Sequence, residues 1–571
     1  MQVSEKHDER RYLTYFGAIL CFAYLIPLHV NPYPSFYNEW TAALGIFVLI
    51  FGFMHRNQFP MRLPSIAFLP LIIAVMIGVQ IMAGLTTFPW DGALAIGYCL
   101  LAGVAILIGA TITAEDRGAE RLCAAIAWPH LIAAGFSVVI ATMQLAGVEH
   151  IFVPFAMLMA HSDAVIRPHA NIAQTNQLAL LFCMGIASVW WLFQNDRVRP
   201  LFAIFLLASL IWGLSLTQSR IAWMILPVFS MLVFIWRYKP GFKPIPLSII
   251  FGFLSLYFLF AFALPEISIL FGSQVDSPAA RASGGYSARL VLLQQAWEMS
   301  RTHPWFGVGW YEFGPQQIAM ASQFEPGTYA RHSHNIVLNF AAEFGWLFTF
   351  ILMVWVIWWL KALINKKINS QTCLFFLFAM AIGLHSVVEF PLWYAYVLFP
   401  FCLLIGMVHQ DRLGSALRTV SRPIVLAVAL TGLSLLMLLA IDYRKAAAAV
   451  TQMEFAAMGI TVGGQTIEQP VFTIFPHLYT YFDFLAKPLT PEMSQEEIAA
   501  MEKIGKRFAS VLMLTRMSQV YAINGYTDEA IATMKTIQHL HPTSYAGVYK
   551  SWSEAPGAFQ STHARMPVPQ K

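Results

Sequence analysis

Thirteen apolar stretches, most of them about as long as a bilayer is thick, recur through the first 441 residues. They lie near 12–30, 38–54, 65–84, 92–114, 122–146, 177–194, 200–217, 221–236, 245–268, 335–360, 372–387, 392–409 and 423–441. A helix needs about 20 such residues to cross the hydrocarbon core, and only a backbone that satisfies its own hydrogen bonds can remain there. Composition agrees: 58% of the 571 residues are hydrophobic and 11% are charged, whereas soluble domains carry about 25% charged residues. So few charges cannot cover a water-soluble globule of this size. The pattern predicts an all-α polytopic integral membrane protein with about 13 transmembrane helices. The first stretch, Tyr12 to Val30, is too long for a signal-peptide core and lacks a small-residue cleavage site, so it reads as an uncleaved first span.

Positive charge sets the expected orientation. Eighteen of the 35 Lys and Arg residues fall in alternate loops, among them Arg62, Arg117, Arg197, Lys243, Lys367 and Arg418. The opposite loops hold six: Arg167, Arg220, Arg281, Arg289, Arg301 and Arg331. Basic residues accumulate on the cytoplasmic side, so the N-terminus is expected inside the cell. The region after the last span then lies outside, in the periplasm of a Gram-negative cell. This arrangement predicts a bacterial inner-membrane protein with residues 1–441 as its transmembrane domain and a large periplasmic loop over 269–333. A helical periplasmic region follows over 442–551, and 552–571 is expected to lack structure. Within the large loop Leu290, Leu293, Ala296 and Trp297 recur at helical spacing and predict a helix over 287–300. Periodicity alone allows it to lie on the membrane surface or to pack within the loop.

Several chemistries are disfavoured. All six cysteines lie inside apolar stretches, which argues against a disulfide framework or a zinc site. There is no Asp-x-Asp, and the outer-loop carboxylates are scattered, so no metal and no cofactor are expected. No phosphate-binding Gly-rich loop with lysine is present. The net charge of +5 contains no long basic run, so nucleic acid is not an expected partner and membrane lipid is.

The polar residues that interrupt the outer side are the candidates for chemistry. Arg220 follows Thr217-Gln218-Ser219 at the start of a span; it is either an arginine reaching the headgroups or part of an anion site. Arg289 and Arg167 offer two more planar guanidiniums suited to phosphate oxygens, unless each is simply a solvated loop charge. His332 and His334 stand in Arg331-His332-Ser333-His334-Asn335, where the large loop returns to the membrane as a helix. The positive end of a helix disfavours the imidazolium, so a histidine there suits proton acceptance. Spacing does not choose between the two. His385 and Glu389, four residues apart, would share a helix face if the helix persists to the break marked by Pro391.

These residues carry a resemblance to the O-antigen ligase/polymerase superfamily. His334-Asn335, nine residues, then Gly345 resembles the family's motif at the end of its large loop, which selects His334 as the catalytic residue. Phe348 stands at the last motif position, where the family has Gly, Thr or Tyr. The Arg289…Trp297…His303-Pro304…Gly307-Val308-Gly309 stretch and Thr217-Gln218-Ser219-Arg220 resemble two further family segments. Asn171-x-x-Gln174-x-Asn176, preceded by Ala170 where a glycine is usual, and Glu389-Phe390-Pro391-Leu392-Trp393-Tyr394-Ala395-Tyr396 resemble the PglL-type protein O-oligosaccharyltransferases. Ala522, Gly525, Asp528 to Ile531 and Pro542 resemble one tetratricopeptide-like hairpin, or an ordinary helical one.

The resemblance implies a donor of undecaprenyl diphosphate carrying an oligosaccharide, and an acceptor Ser or Thr in a type IV pilin or another periplasmic protein. His334 would be the general base, and Arg167, Arg220, Arg289, Asn171, Gln174, Asn176, Asn335, Glu389 and His385 would bind diphosphate or glycan. The reaction would invert the anomeric carbon without a metal. A lipopolysaccharide O-antigen ligase or polymerase is the nearest alternative, and a polyprenyl-lipid flippase a more distant one.

Overall fold

The computed structural model describes residues 2–55, 61–159, 165–276, 286–364, 367–414, 416–457, 469–555 and 557–569. Its helices are α1 (Gln2–Leu25), α2 (Phe36–His55), α3 (Phe68–Met82), α4 (Pro89–Thr113), α5 (Gly118–Ala146), α6 (Thr175–Gln194), α7 (Pro200–Leu216), α8 (Ile221–Trp236) and α9 (Leu247–Leu270). They continue as α10 (Tyr286–Thr302), α11 (Phe313–Ala319), α12 (Ile336–Phe344), α13 (Trp346–Ile364), α14 (Ser370–Ser386), α15 (Ala395–Leu413) and α16 (Arg422–Ala457). The C-terminal helices are α17 (Pro476–Ala486), α18 (Gln495–Arg507), α19 (Val511–Ile523), α20 (Thr527–Leu540), α21 (Pro542–Ser553) and α22 (Gln560–His563). Two short strands, β1 (Met61–Pro64) and β2 (Ala416–Val420), pair antiparallel.

Among the described residues eight helices are long and apolar enough to cross a membrane: Phe36–His55, Ser65–Met82, Pro89–Thr113, Gly118–Ala146, Thr175–Gln194, Leu247–Leu270, Trp346–Ile364 and Arg422–Phe455. Arg11–Leu25, Pro200–Leu216, Ile221–Trp236 and Ser370–Ser386 are shorter apolar helices. The protein is a helical, multi-pass membrane protein.

The chain folds as two compact units. The first comprises Met1–Ile73, Gly97–Gly284 and Val354–Leu438; the second comprises Ala74–Ile96, Gly285–Met353 and Leu439–Lys571. In the first unit one apolar core runs through the helices, with Ile126, Phe182, Trp191, Leu214, Phe378 and Leu403 at its centre. Its loops sort by charge. Arg197 pairs with Glu120 at 2.5 Å, Lys243 with Asp196 at 2.6 Å, and Ser370 donates to Asn195 at 3.1 Å. Asn369 donates to Asp411 at 3.0 Å, and β1 sets Met61 opposite Val420. These are loops that charge alternation assigned to a single side. Loops assigned to the other side also meet: Ser273 donates to Leu145 O at 2.8 Å and Ile166 N to Gln274 O at 2.9 Å.

In the second unit, α10 covers the expected 287–300 helix and buries Ala296 of the expected stripe, but the rest of its inward face is shifted. Leu292, Ala296 and Met299 are buried against Val308, Phe313 and Ala342, while Leu290 and Trp297 stay exposed. The apolar stretch 335–360 is broken at Gly345 into α12 and the candidate span α13. Gly345 has φ of +85°, and a Cβ there would stand 2.6 Å from Pro304 O. The apolar pattern runs straight through this break because both helices are apolar. The remaining helices form a second core containing Met517, Tyr521, Ala530, Met534 and Ile537. Trp552, Phe559 and Met566, from the stretch expected to lack structure, are buried in it. Three large apolar side chains close enough to fold back on a helical hairpin explain why. The 441 boundary falls within α16, and Arg281 lies outside the described residues.

Candidate active site

The candidate residues divide between the units. His334 and Arg289 belong to the second; Arg167, Arg220, Asn171, Gln174, Asn176, His385 and Glu389 belong to the first.

Around His334 the chain bonds to itself over short range. Asn335 is the N-cap of α12, its side-chain oxygen accepting from Val337 N and Leu338 N at 3.1 Å each. Ser333 Oγ donates to Asn335 O at 3.0 Å, and Ser333 N donates to Asn339 Oδ1 at 3.0 Å. Asn335 therefore anchors the loop through its side-chain oxygen. His334 itself is left-handed, φ +58°, a conformation that costs a residue with a Cβ roughly 1–2 kcal/mol. Such a conformation persists where neighbours over-determine it, and the capping bonds on either side do so. The rings of His332 and His334 meet edge to face, centroids 4.4 Å apart.

The loop rests on a buried polar layer that sequence reading missed. Asn339 also meets Glu343, whose carboxyl burial pushes up to about 8. Gln80 is fully buried and donates to Glu343 O at 2.7 Å and Phe306 O at 2.8 Å, while Trp310 N donates to its Oε1 at 3.0 Å. Val308 N reaches Ala342 O at 2.8 Å. The glycines of Gly307-Val308-Gly309 permit this approach: a Cβ on Gly307, φ +67°, would lie 2.2 Å from Glu343 C. Arg331 Nη1 donates to Tyr311 Oη at 3.4 Å, and the Arg507 guanidinium sits 4.5 Å from the Tyr311 ring centroid. Arg507 in turn forms a two-pronged pair with Asp91 at 2.9 and 3.0 Å. The C-terminal helices are thus tied into the loop that carries His334. Residues 416 apart in the chain give no sequence signal of this.

In the first unit three separated motifs converge. Asn176 Oδ1 accepts from Ser219 Oγ at 2.8 Å, and Asn176 Nδ2 donates to Glu389 Oε1 at 3.0 Å. Arg167 Nη2 donates to Thr217 O at 3.1 Å. Arg220 occupies the cap position of α8, two residues after Gln218, which is left-handed at φ +49°. Gln174 caps α6 through Gln177 N at 2.6 Å. Asn171 is almost wholly buried, and its side chain bonds Leu25 O at 2.8 Å, Phe155 O at 2.7 Å and Met157 N at 2.9 Å. Both of its amide donors and its oxygen bond to backbone, so it braces the 147–176 loop. His385 is fully buried, with its carbonyl accepting from Glu389 N at 2.8 Å. Glu39, bonded to Ser35 and Tyr98, is a further polar residue at a helix start that the sequence reading passed over.

Residues 205–353 match the family described as O-Antigen ligase, and residues 373–553 match "Virulence factor membrane-bound polymerase, C-terminal". The chain is a homologue of these ligases and an enzyme of the glycosyltransferase class. Among curated proteins it is 24% identical to a General O-oligosaccharyltransferase of Acinetobacter baylyi over 545 residues, covering 93% of this chain and 92% of the relative. It is 23% identical to a ComP-specific O-oligosaccharyltransferase of the same organism over 400 residues, covering 69% and 70%. No solved structure matches.

Proposed function

We propose that the chain transfers a preassembled oligosaccharide from a polyprenyl diphosphate, undecaprenyl diphosphate in a bacterium, to Ser or Thr hydroxyls of a protein outside the inner membrane. A pilin or another periplasmic protein is the acceptor. The observation that carries the reading is His334, held left-handed beside the Asn335 cap at the start of α12. Two relatives named as O-oligosaccharyltransferases support the protein acceptor.

In the reaction His334 takes the hydroxyl proton as the acceptor oxygen attacks the anomeric carbon. The new carbon–oxygen bond forms as the bond to the diphosphate breaks, and the configuration inverts. The electron pair leaves with the diphosphate, which is already a stable anion and needs no general acid. Arg220, Arg289 and Arg167 neutralise the charge that grows on it. Glu389, Asn176, Gln174 and His385 shape the glycan side, and Asn171 and Asn335 hold the backbone that presents the others. The reading invokes no metal and places the N-terminus in the cytoplasm, with the site and C-terminal helices on the far side.

Reconstitution with purified lipid-linked donor and acceptor protein tests it. His334→Ala is expected to lower turnover by about 10²–10⁴-fold with an unchanged melting temperature. Normal transfer by that variant, or a product of retained configuration, would end the proposal. A lipopolysaccharide ligase is the second reading, favoured by the match over 205–353. A deletion strain that loses protein glycosylation but keeps its O-antigen decides for the first.

A further inference from the structure

Beside α10 the second unit opens into a cavity of about 840 Å³, within the roughly 300–1,000 Å³ of small-ligand sites. Trp297 and Phe324 give it flat apolar area, while Gln294, Glu298, Glu325 and His539 give it hydrogen-bonding groups. Trp297 is 54% exposed although it meets Trp346 in a T-shaped contact. Among the described residues no Lys or Arg lines the cavity.

The lining discriminates between occupants. A phosphate or acidic group would meet the Glu325 carboxylate and that of Glu298, which Arg301 already pairs at 2.6 and 3.0 Å. An extended polypeptide binding through its main chain needs an open backbone edge, and the backbone here is already paired. Gly327 N donates to His539 O at 2.8 Å, Tyr329 N to Leu540 O at 3.1 Å, and Phe324 O lies 3.1 Å from His539 Nδ1. A sugar suits it better: an indole plane faces the apolar C–H side of a pyranose, and amides and carboxylates accept from its hydroxyls.

The place in the fold says which sugar. Trp297 touches Trp346, one residue beyond the Gly345 that ends α12, whereas His334 stands before the other end of that helix. The nine residues of α12 rise about 14 Å at about 1.5 Å each, too far for the reacting ring to fill both places.

The geometry points to a distal saccharide subsite: the cavity holds a neutral or amino sugar of the transferred chain, several units away from the one whose anomeric carbon reacts. This rests on the proposed transfer reaction. It predicts that the enzyme distinguishes long from short glycans through Trp297.

The test uses the full-length protein in liposomes with two polyprenyl-diphosphate donors, one bearing a single sugar and one the complete oligosaccharide. Trp297→Ala is expected to raise donor KM for the long donor by about 5- to 10-fold relative to the short one, leaving kcat for both alike. Trp297→Phe recovers most of the loss, and Glu325→Gln gives a smaller rise in the same ratio. Equal losses on both donors would overturn the subsite, leaving Trp297 a packing residue. A rise in acceptor KM instead of donor KM would overturn it in favour of polypeptide docking. If the wild-type protein transfers neither donor to protein, the transfer reading fails by itself. The subsite is then judged by saturation-transfer NMR with the free oligosaccharide: sugar-proton signals that vanish in Trp297→Ala support it, and identical spectra overturn it.

Discussion

The His334 loop and the Asn176 cluster solve the same problem, holding polar groups still next to a membrane, by opposite means. In the cap immediately beside His334 the bonds span two to six residues, Ser333 to Asn339 and Asn335 to Val337 and Leu338, and only the layer beneath it is tied by distant residues such as Gln80. Around Asn176 the bonds join residues 43 and 213 apart. A short-range scaffold can be altered without disturbing the helices that carry it. A long-range one cannot, because each side chain is also a strut between spans. The first arrangement suits a group that must be aimed, and the second a pocket wall that must not spread.

Mutations can break this contrast. Asn176→Ala removes the donor to Glu389 and the acceptor for Ser219 together. It is expected to cost about 1–3 kcal/mol, read as a lowered melting temperature in detergent alongside weaker transfer. A variant that keeps full stability and loses only activity would make the cluster a ligand site rather than a strut. Asn335→Ala should cost less, about 1 kcal/mol for a lost N-cap. Its larger effect should fall on kcat, because the loop no longer aims His334, and Asn335→Ser should restore both. An unchanged kcat would show that the cap does not position the imidazole.

The smallest effect is a slope. Burial holds the Glu343 carboxyl at about 8, against 4.5 for an exposed glutamate. As pH rises above 4.5 the unfolded chain releases this proton while the folded chain keeps it, so stability falls through that window and levels off above about 8. Glu343→Gln should remove that decline, measured as melting temperature between pH 5 and 8. An identical slope in both proteins would mean the carboxyl is ionised when folded.

The same division between near and far explains what the sequence could reveal. Apolar length and loop charge are local properties, so the segments and the side-by-side grouping of Arg197, Lys243 and Asn369 with their partners were legible. The loop-to-helix junction at His334-Asn335 was legible too, because the Asn335 cap acts within a few residues. The break at Gly345 was not, since a positive φ leaves no trace in an apolar pattern. Nor was the whole inward face of α10: Leu290 and Trp297 fit a helical stripe with Ala296 as well as Leu292 and Met299 do, and the choice is made by Val308 and Ala342. Asn171 looked like a ligand-binding amide because its three backbone partners come from other segments. Gln80 and the Asp91–Arg507 pair were invisible for the same reason.

The little ribbon formed by β1 and β2 has a consequence for how the protein is made. Met61–Pro64 leaves the ribosome early, but its mate Ala416–Val420 is nearly the last part of the membrane bundle to appear. Throughout synthesis of everything between, the early strand keeps a bare edge. A chain cut short before Ala416 never covers it, so this small clasp closes only once every helix up to α15 has been made.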